Sequence, residues 1–133
     1  MTVKTIENDL LIHETPLESI QLDGTSVTVC LDDADGKRKR LLFRPYQAFR
    51  SVSEDCADFS FLDGLHNGFP WKRYERPVYE VIDSPWIRDL RQSLAVPDDD
   101  FLEKSHHYVI HLGKNVVEIV SWNIEIQDAN EIH

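Results

Sequence analysis

The chain has 133 residues, 41% hydrophobic and 29% charged, which suits one domain around one core and argues against wholesale disorder. Fourteen Lys and Arg stand against twenty-four Asp and Glu, a formal net charge of −10 at pH 7. So acidic a surface repels phosphates and anionic membranes, which excludes nucleic acid and membrane as expected partners and favours a basic protein.

In chain order, the opening "MTVKTIENDLLIHETPLES" has neither a long apolar core nor a small-residue cleavage site. It does not read as a signal peptide. No stretch approaches the ~20 apolar residues of a membrane span. "LESIQLDG" (17–24) places Leu17, Ile20 and Leu22 in imperfect alternation and predicts a strand. "SVTVCLDD" (26–33) is regular, with Val27, Val29 and Leu31 on one face and Ser26, Thr28 and Cys30 on the other. "DADGK" supplies a turn around Gly36, and "RLLFR" (40–44) returns, so 26 to 44 predicts a β-hairpin. "AFRSV" (48–52) either continues that strand past Pro45 or forms another.

Residues 54 to 76 read as a long excursion, with a short helical turn near 55 to 63. "PVYEVIDS" (77–84) predicts a strand. Ser84 can cap the helix that follows, and Pro85 suits its first turn because its missing N–H costs nothing there. Trp86, Leu90 and Leu94 make an apolar stripe expected to pack on the sheet, and Pro97 marks the end. "DDDFLEK" (98–104) allows one more turn. In "HHYVIHL", Tyr108, Ile110 and Leu112 share one face and His107, Val109 and His111 the other. "VVEIVSWNIEI" (116–126) predicts one long strand, interrupted at Glu118 by a bulge or an edge placement. The fold class is α+β: a mainly antiparallel sheet of hairpins with one main helix starting near Ser84, in a single domain over 1–133.

The histidines are the first candidates for chemistry. On a strand, His107 and His111 stand ~13 Å apart at a rise of ~3.3 Å per residue. Two imidazoles at that span do not share a zinc ion, whose Zn–N bonds are ~2 Å. They read as satisfied or exposed strand residues. "LDDADGK" fails as a calcium loop, because the terminal ligand positions fall on Leu31 and Leu42. There is no G-x-S-x-G, P-loop, G-x-G-x-x-G or paired C-x-x-C. Cys56 lies beside Asp55 and Asp58, which disfavours a thiolate. No catalytic, metal or cofactor residue is selected. Cys30 and Cys56 make no disulfide framework and fit a reduced, cytoplasmic protein.

The aromatic run "FSFLDGLHNGFPWKRYERP" (59–77) carries the residue types that dominate protein interfaces. Phe69, Trp71, Arg73, Tyr74 and Arg76 are its candidate partner-binding residues, although such aromatics equally close the end of a small core.

The order "LLIHETPLESIQLDGTSVTVCLDD", "LLFR", "DSPWIRDLR", "HHYVIHLGKNVVEIVS" resembles a loose group of small, mostly uncharacterised bacterial proteins similar to immunity-type proteins of toxin systems. His13 matches their opening histidine, while Glu14 stands where they usually carry Asp. The resemblance implies a non-enzymatic bacterial binding protein that neutralises a basic toxin domain, and it brings no catalytic residues. Two alternatives stay open. One is a small-molecule or metal-dependent enzyme built around His66, His107 and His111. The other is a structural homodimer pairing through an edge at 116–126.

Overall fold

The computed structural model describes residues 2–6, 10–56, 77–95 and 100–129. The strands are β1 (Thr2–Thr5), β2 (Ser19–Leu22), β3 (Val27–Asp32), β4 (Arg38–Phe43), β5 (Tyr46–Ser53), β6 (Tyr79–Ile82), β7 (His106–His111), β8 (Asn115–Ser121) and β9 (Ile124–Asp128). One α-helix, α1 (Pro85–Gln92), lies between β6 and β7. Short 3₁₀ turns occupy Glu54–Cys56 and Phe101–Lys104. The fold is α+β and mostly antiparallel sheet, as the sequence predicts.

The strands form two antiparallel sheets rather than one. A five-stranded sheet has the order β1-β6-β7-β8-β5, and a four-stranded sheet the order β2-β3-β4-β9. Alternation explains why they stack. Val27, Val29 and Leu31 from β3, with Leu41 and Phe43 from β4, are fully buried. They share one cluster with Tyr108, Ile110, Val117 and Ile119 from β7 and β8. The Phe43 and Tyr108 rings meet across this core with centroids 5.5 Å apart. Burial raises the Tyr108 phenol well above its usual range, and the nearby Glu80 charge adds to the rise.

The 26–44 hairpin forms as its alternation dictates, with Val27 opposite Phe43 and Asp32 opposite Arg38. Gly36 adopts φ +79° in the turn, a backbone region that a side chain disfavours.

At one corner an open alternative is decided and an expectation changes. The chain after Pro45 belongs to a new strand, β5, in the other sheet. Likewise 116–126 is two strands: β8 pairs with β5 and β7, while β9 pairs with β4. Both crossings happen side by side. The Trp122 N–H donates to the Pro45 carbonyl at 3.0 Å, and the Arg44 N–H donates to the Asn123 carbonyl at 3.3 Å. The Ser121 hydroxyl donates to the Asn123 carbonyl, closing the bend. Periodicity cannot show such a switch, because Val, Ile and Trp continue through it. An edge at 116–126 is therefore corrected: β8 is interior, and β9 alone of the two lies at an edge. Glu118 sits at neither an edge nor a bulge, and the register irregularity falls in β5 between Tyr46 and Ala48.

Helix α1 begins where predicted. Ser84 Oγ accepts the Ile87 N–H at 3.1 Å. It ends before Pro97, because the Ser93 N–H folds back to the Leu90 carbonyl and its hydroxyl takes the Asp89 carbonyl. Leu94 thus falls beyond the helix. Trp86 and Leu90 are half-buried, and Trp86 meets the sheet at His107 and Arg50.

Candidate functional site

Two places depart from the usual partition of polar outside and apolar inside. The first is a polar chain through the outer face of the five-stranded sheet. Strand parity puts His107 on the side away from the shared core, beside Val109. Glu118, on β8, stands opposite Val109 on β7 and opposite Arg50 on β5. These neighbours link up. Ser84 Oγ lies 2.7 Å from His107 Nδ1, and His107 Nε2 lies 2.7 Å from Glu118 Oε1. Arg50 grips the same carboxylate twice, Nε at 2.8 Å and Nη2 at 3.1 Å. With Nε2 donating to the carboxylate, His107 Nδ1 accepts the Ser84 hydroxyl.

One aromatic ring, Trp86, covers this polar chain. Trp86 packs edge-on to His107 at 5.2 Å, and the Arg50 guanidinium lies 4.0 Å over the Trp86 ring. Burial alone pushes the Glu118 carboxyl up, but hydrogen bonds from His107 and Arg50 outweigh it and hold Glu118 below the usual carboxylate range. Beside Ser84 a cleft of about 580 Å³ is lined by Glu80, Asp83, Arg88, Arg91 and His106 among others. Asp83 enters it from φ +57°. His106 Nδ1 meets Glu80 Oε2 at 2.7 Å.

Of the two readings of the strand histidines, satisfied or exposed, the first holds for His107 and His111, which share a face and are 3% and 0% exposed. Each is committed to a different carboxylate, His107 to Glu118 and His111 to Glu54. They are not brought together, and among the described residues no group of three or more His, Cys, Asp or Glu could hold a metal. His66 and the partner-binding candidates Phe69, Trp71, Arg73, Tyr74 and Arg76 lie outside the described residues. Sequence reading missed Ser84–His107–Glu118–Arg50 as a unit. The one signal was a glutamate inside the apolar run "VVEIV", which alternation alone could not pair with His107.

The second place is the β2 edge. Ser19–Leu22 is exposed along its whole length. Around it the charge is one-sided. Residues 10 to 36 contain Glu14, Glu18, Asp23, Asp32, Asp33 and Asp35 and no Lys or Arg. Asp23 is held below its ordinary range by the Ser26 hydroxyl and by the Thr25 and Ser26 N–H groups. Asp33 caps its own turn through Asp35 and Lys37 N–H groups. Arg38, Lys39 and Arg44, on and beside β4, are engaged with Asp32, Asp128 and Glu125, and Arg40 donates to Gln127 Oε1, while Lys37 makes no ion pair among the described residues. Among the described residues Glu14, Glu18 and Asp35 take part in no ion pair.

Comparison of the chain with protein-family models, with curated proteins and with solved structures gives no match.

Proposed function

We propose that this is a non-enzymatic bacterial cytosolic binding protein with an immunity-like role, in which an acidic surface captures and neutralises a basic toxin-type domain. The observation that carries the reading is the charge distribution: six carboxylates and no cation over 10–36, in a chain of net charge −10. Such a field speeds the encounter with a basic partner and loses that advantage in salt. Residues Phe69, Trp71, Arg73, Tyr74 and Arg76 have the chemistry of anchors that exclude water from a contact. A reducing compartment suits the two cysteines, both free, Cys30 partly covered and Cys56 exposed. No described helix is long and apolar enough to cross a membrane.

The test is capture from host lysate at low salt, followed by kinetics with the purified captured protein. The reading expects one basic protein in stoichiometric amount, with an association rate that falls steeply as salt rises. A rate indifferent to salt overturns it.

A second reading has one observation in its favour. Ser84, His107 and Glu118 follow the hydroxyl–imidazole–carboxylate order of a serine hydrolase, beside a cleft. Two features favour the binding reading over it. Ser84 Oγ is already used by the Ile87 N–H. Arg50 already neutralises Glu118, so little negative charge is left to stabilise an imidazolium. Labelling of Ser84 by a fluorophosphonate, lost in His107→Ala, would establish the hydrolase instead.

A further inference from the structure

The large hydrophobic side chains most exposed among the described residues are Leu11 at 41%, Leu17 at 64%, Ile20 at 37% and Leu22 at 51%. All four fall within residues 10 to 22, with Leu17, Ile20 and Leu22 on or beside β2 and Leu11 at the β3–β4 turn. Ile20 and Leu22 stand opposite Val29 and Val27, which are fully buried. Cross-strand partners share a face, so Ile20 and Leu22 belong to the core-facing side of the four-stranded sheet. The apolar face therefore extends one strand farther than its cover.

The backbone is open at the same place. The Asp23 N–H donates to the Ser26 carbonyl at 3.0 Å. Antiparallel alternation then turns Ser19 and Gln21 toward β3 and leaves the N–H and C=O groups of Ile20 and Leu22 facing outward. Lysines and inward charges usually protect such an edge against pairing. Residues 19 to 22 contain neither a charge nor a proline. Leu17, the most exposed of the four, sits at φ +50°, a conformation unfavourable for leucine, with its carbonyl held by Arg38 Nη1 at 2.8 Å.

We propose that β2 is the docking edge, and that its occupant is an extended basic segment of a partner protein, added as a fifth strand beside β2. This rests on the reading of the chain as a binder of basic protein and names the surface and the mode. Main-chain bonds to Ile20 and Leu22 provide the pairing. Alternate partner side chains must be apolar, to complete the face that Ile20 and Leu22 leave uncovered. The intervening ones are Lys or Arg, on the face of Ser19, Gln21 and Asp23, with Glu18 at the other end of the strand. A second copy of this chain fits poorly, because pairing two β2 edges sets these carboxylates against each other.

The probe is an eight-residue peptide alternating Lys and Val, compared with its Glu–Val counterpart, added to the full chain at low salt and followed by amide NMR. The Lys–Val peptide is expected to shift the amide signals of Ile20 and Leu22 and slow their hydrogen exchange, and the Glu–Val peptide is not. Ile20→Pro removes one outward donor and no bond to β3, and should weaken binding about tenfold or more. Should that variant melt far below the parent, Ile20→Lys with Leu22→Lys keeps every β3 bond and should weaken binding as much. Equal binding by parent and folded variants, or shifts mapping away from β2, overturns the docking edge and leaves the basic-partner reading standing. If neither the peptide nor the captured basic protein binds, both readings fall. Self-association with protection at Ile20 and Leu22 makes the occupant a second copy and also overturns the proposal.

Discussion

The middle of β7–β8 and the edge at β2 are opposites. At the first, a buried serine, histidine and glutamate meet a half-exposed arginine from the edge strand β5, and each finds a partner. At the second, leucines and an isoleucine are exposed beside backbone that is unpaired among the described residues. The polar interior is committed: its hydrogen bonds are internal and its charges compensated, so it holds shape. The apolar edge is uncommitted: no described strand pairs it. Burial of polar groups here indicates structure, and the exposed apolar edge is where docking is proposed.

The contrast is broken most severely at Glu118. Glu118→Ala strands the His107 donor and frees Arg50, and should cost about 3 kcal/mol in urea unfolding. A loss under about 1 kcal/mol would mean that the chain is not a structural tie. The same carboxylate gives a pH dependence of definite sign. Its folded pKa lies below the unfolded value, so its contribution is fully present above the ordinary carboxylate range. That contribution is lost as pH falls through the lower folded value. Acidification from about pH 6 to about pH 3 should therefore lower the unfolding midpoint of the parent more than that of Glu118→Gln.

Ser84→Ala removes a helix cap and a partner of His107 together, and should cost about 1.5 kcal/mol. Circular dichroism should report fraying of α1 along with the lower midpoint. Leu90→Ala sharpens the boundary between the regions. A fully buried leucine would cost ~2–5 kcal/mol, whereas the half-buried Leu90 should cost about 1 kcal/mol. The smallest change falls on the edge itself. Ile20→Ser should alter stability by less than about 0.5 kcal/mol while reducing capture of the basic partner. A stability loss as large as that of Glu118→Ala would show β2 to be part of the core rather than a surface.

Local pattern alone determined much of this protein. Alternation in "VTVCLD" and in "HHYVIH" identified which residues face the core, because the side-chain period of a strand is fixed by its backbone. Ser84 followed by Pro85 located the start of α1, because capping is a contact between residues three apart. What the sequence left open is everything that depends on which strands meet. A continuous apolar run hid the bend at Trp122 and Asn123, since both sheets need the same residue types. His107 looked like ordinary strand polarity until β7 was placed beside β8, and β8 beside β5. Only that order sets Ser84, Glu118 and Arg50 around it. Leu17, Ile20 and Leu22 read only as an imperfectly alternating strand, and it was the packing of the two sheets that left them uncovered. Periodicity specifies a face, but neighbours decide what that face meets.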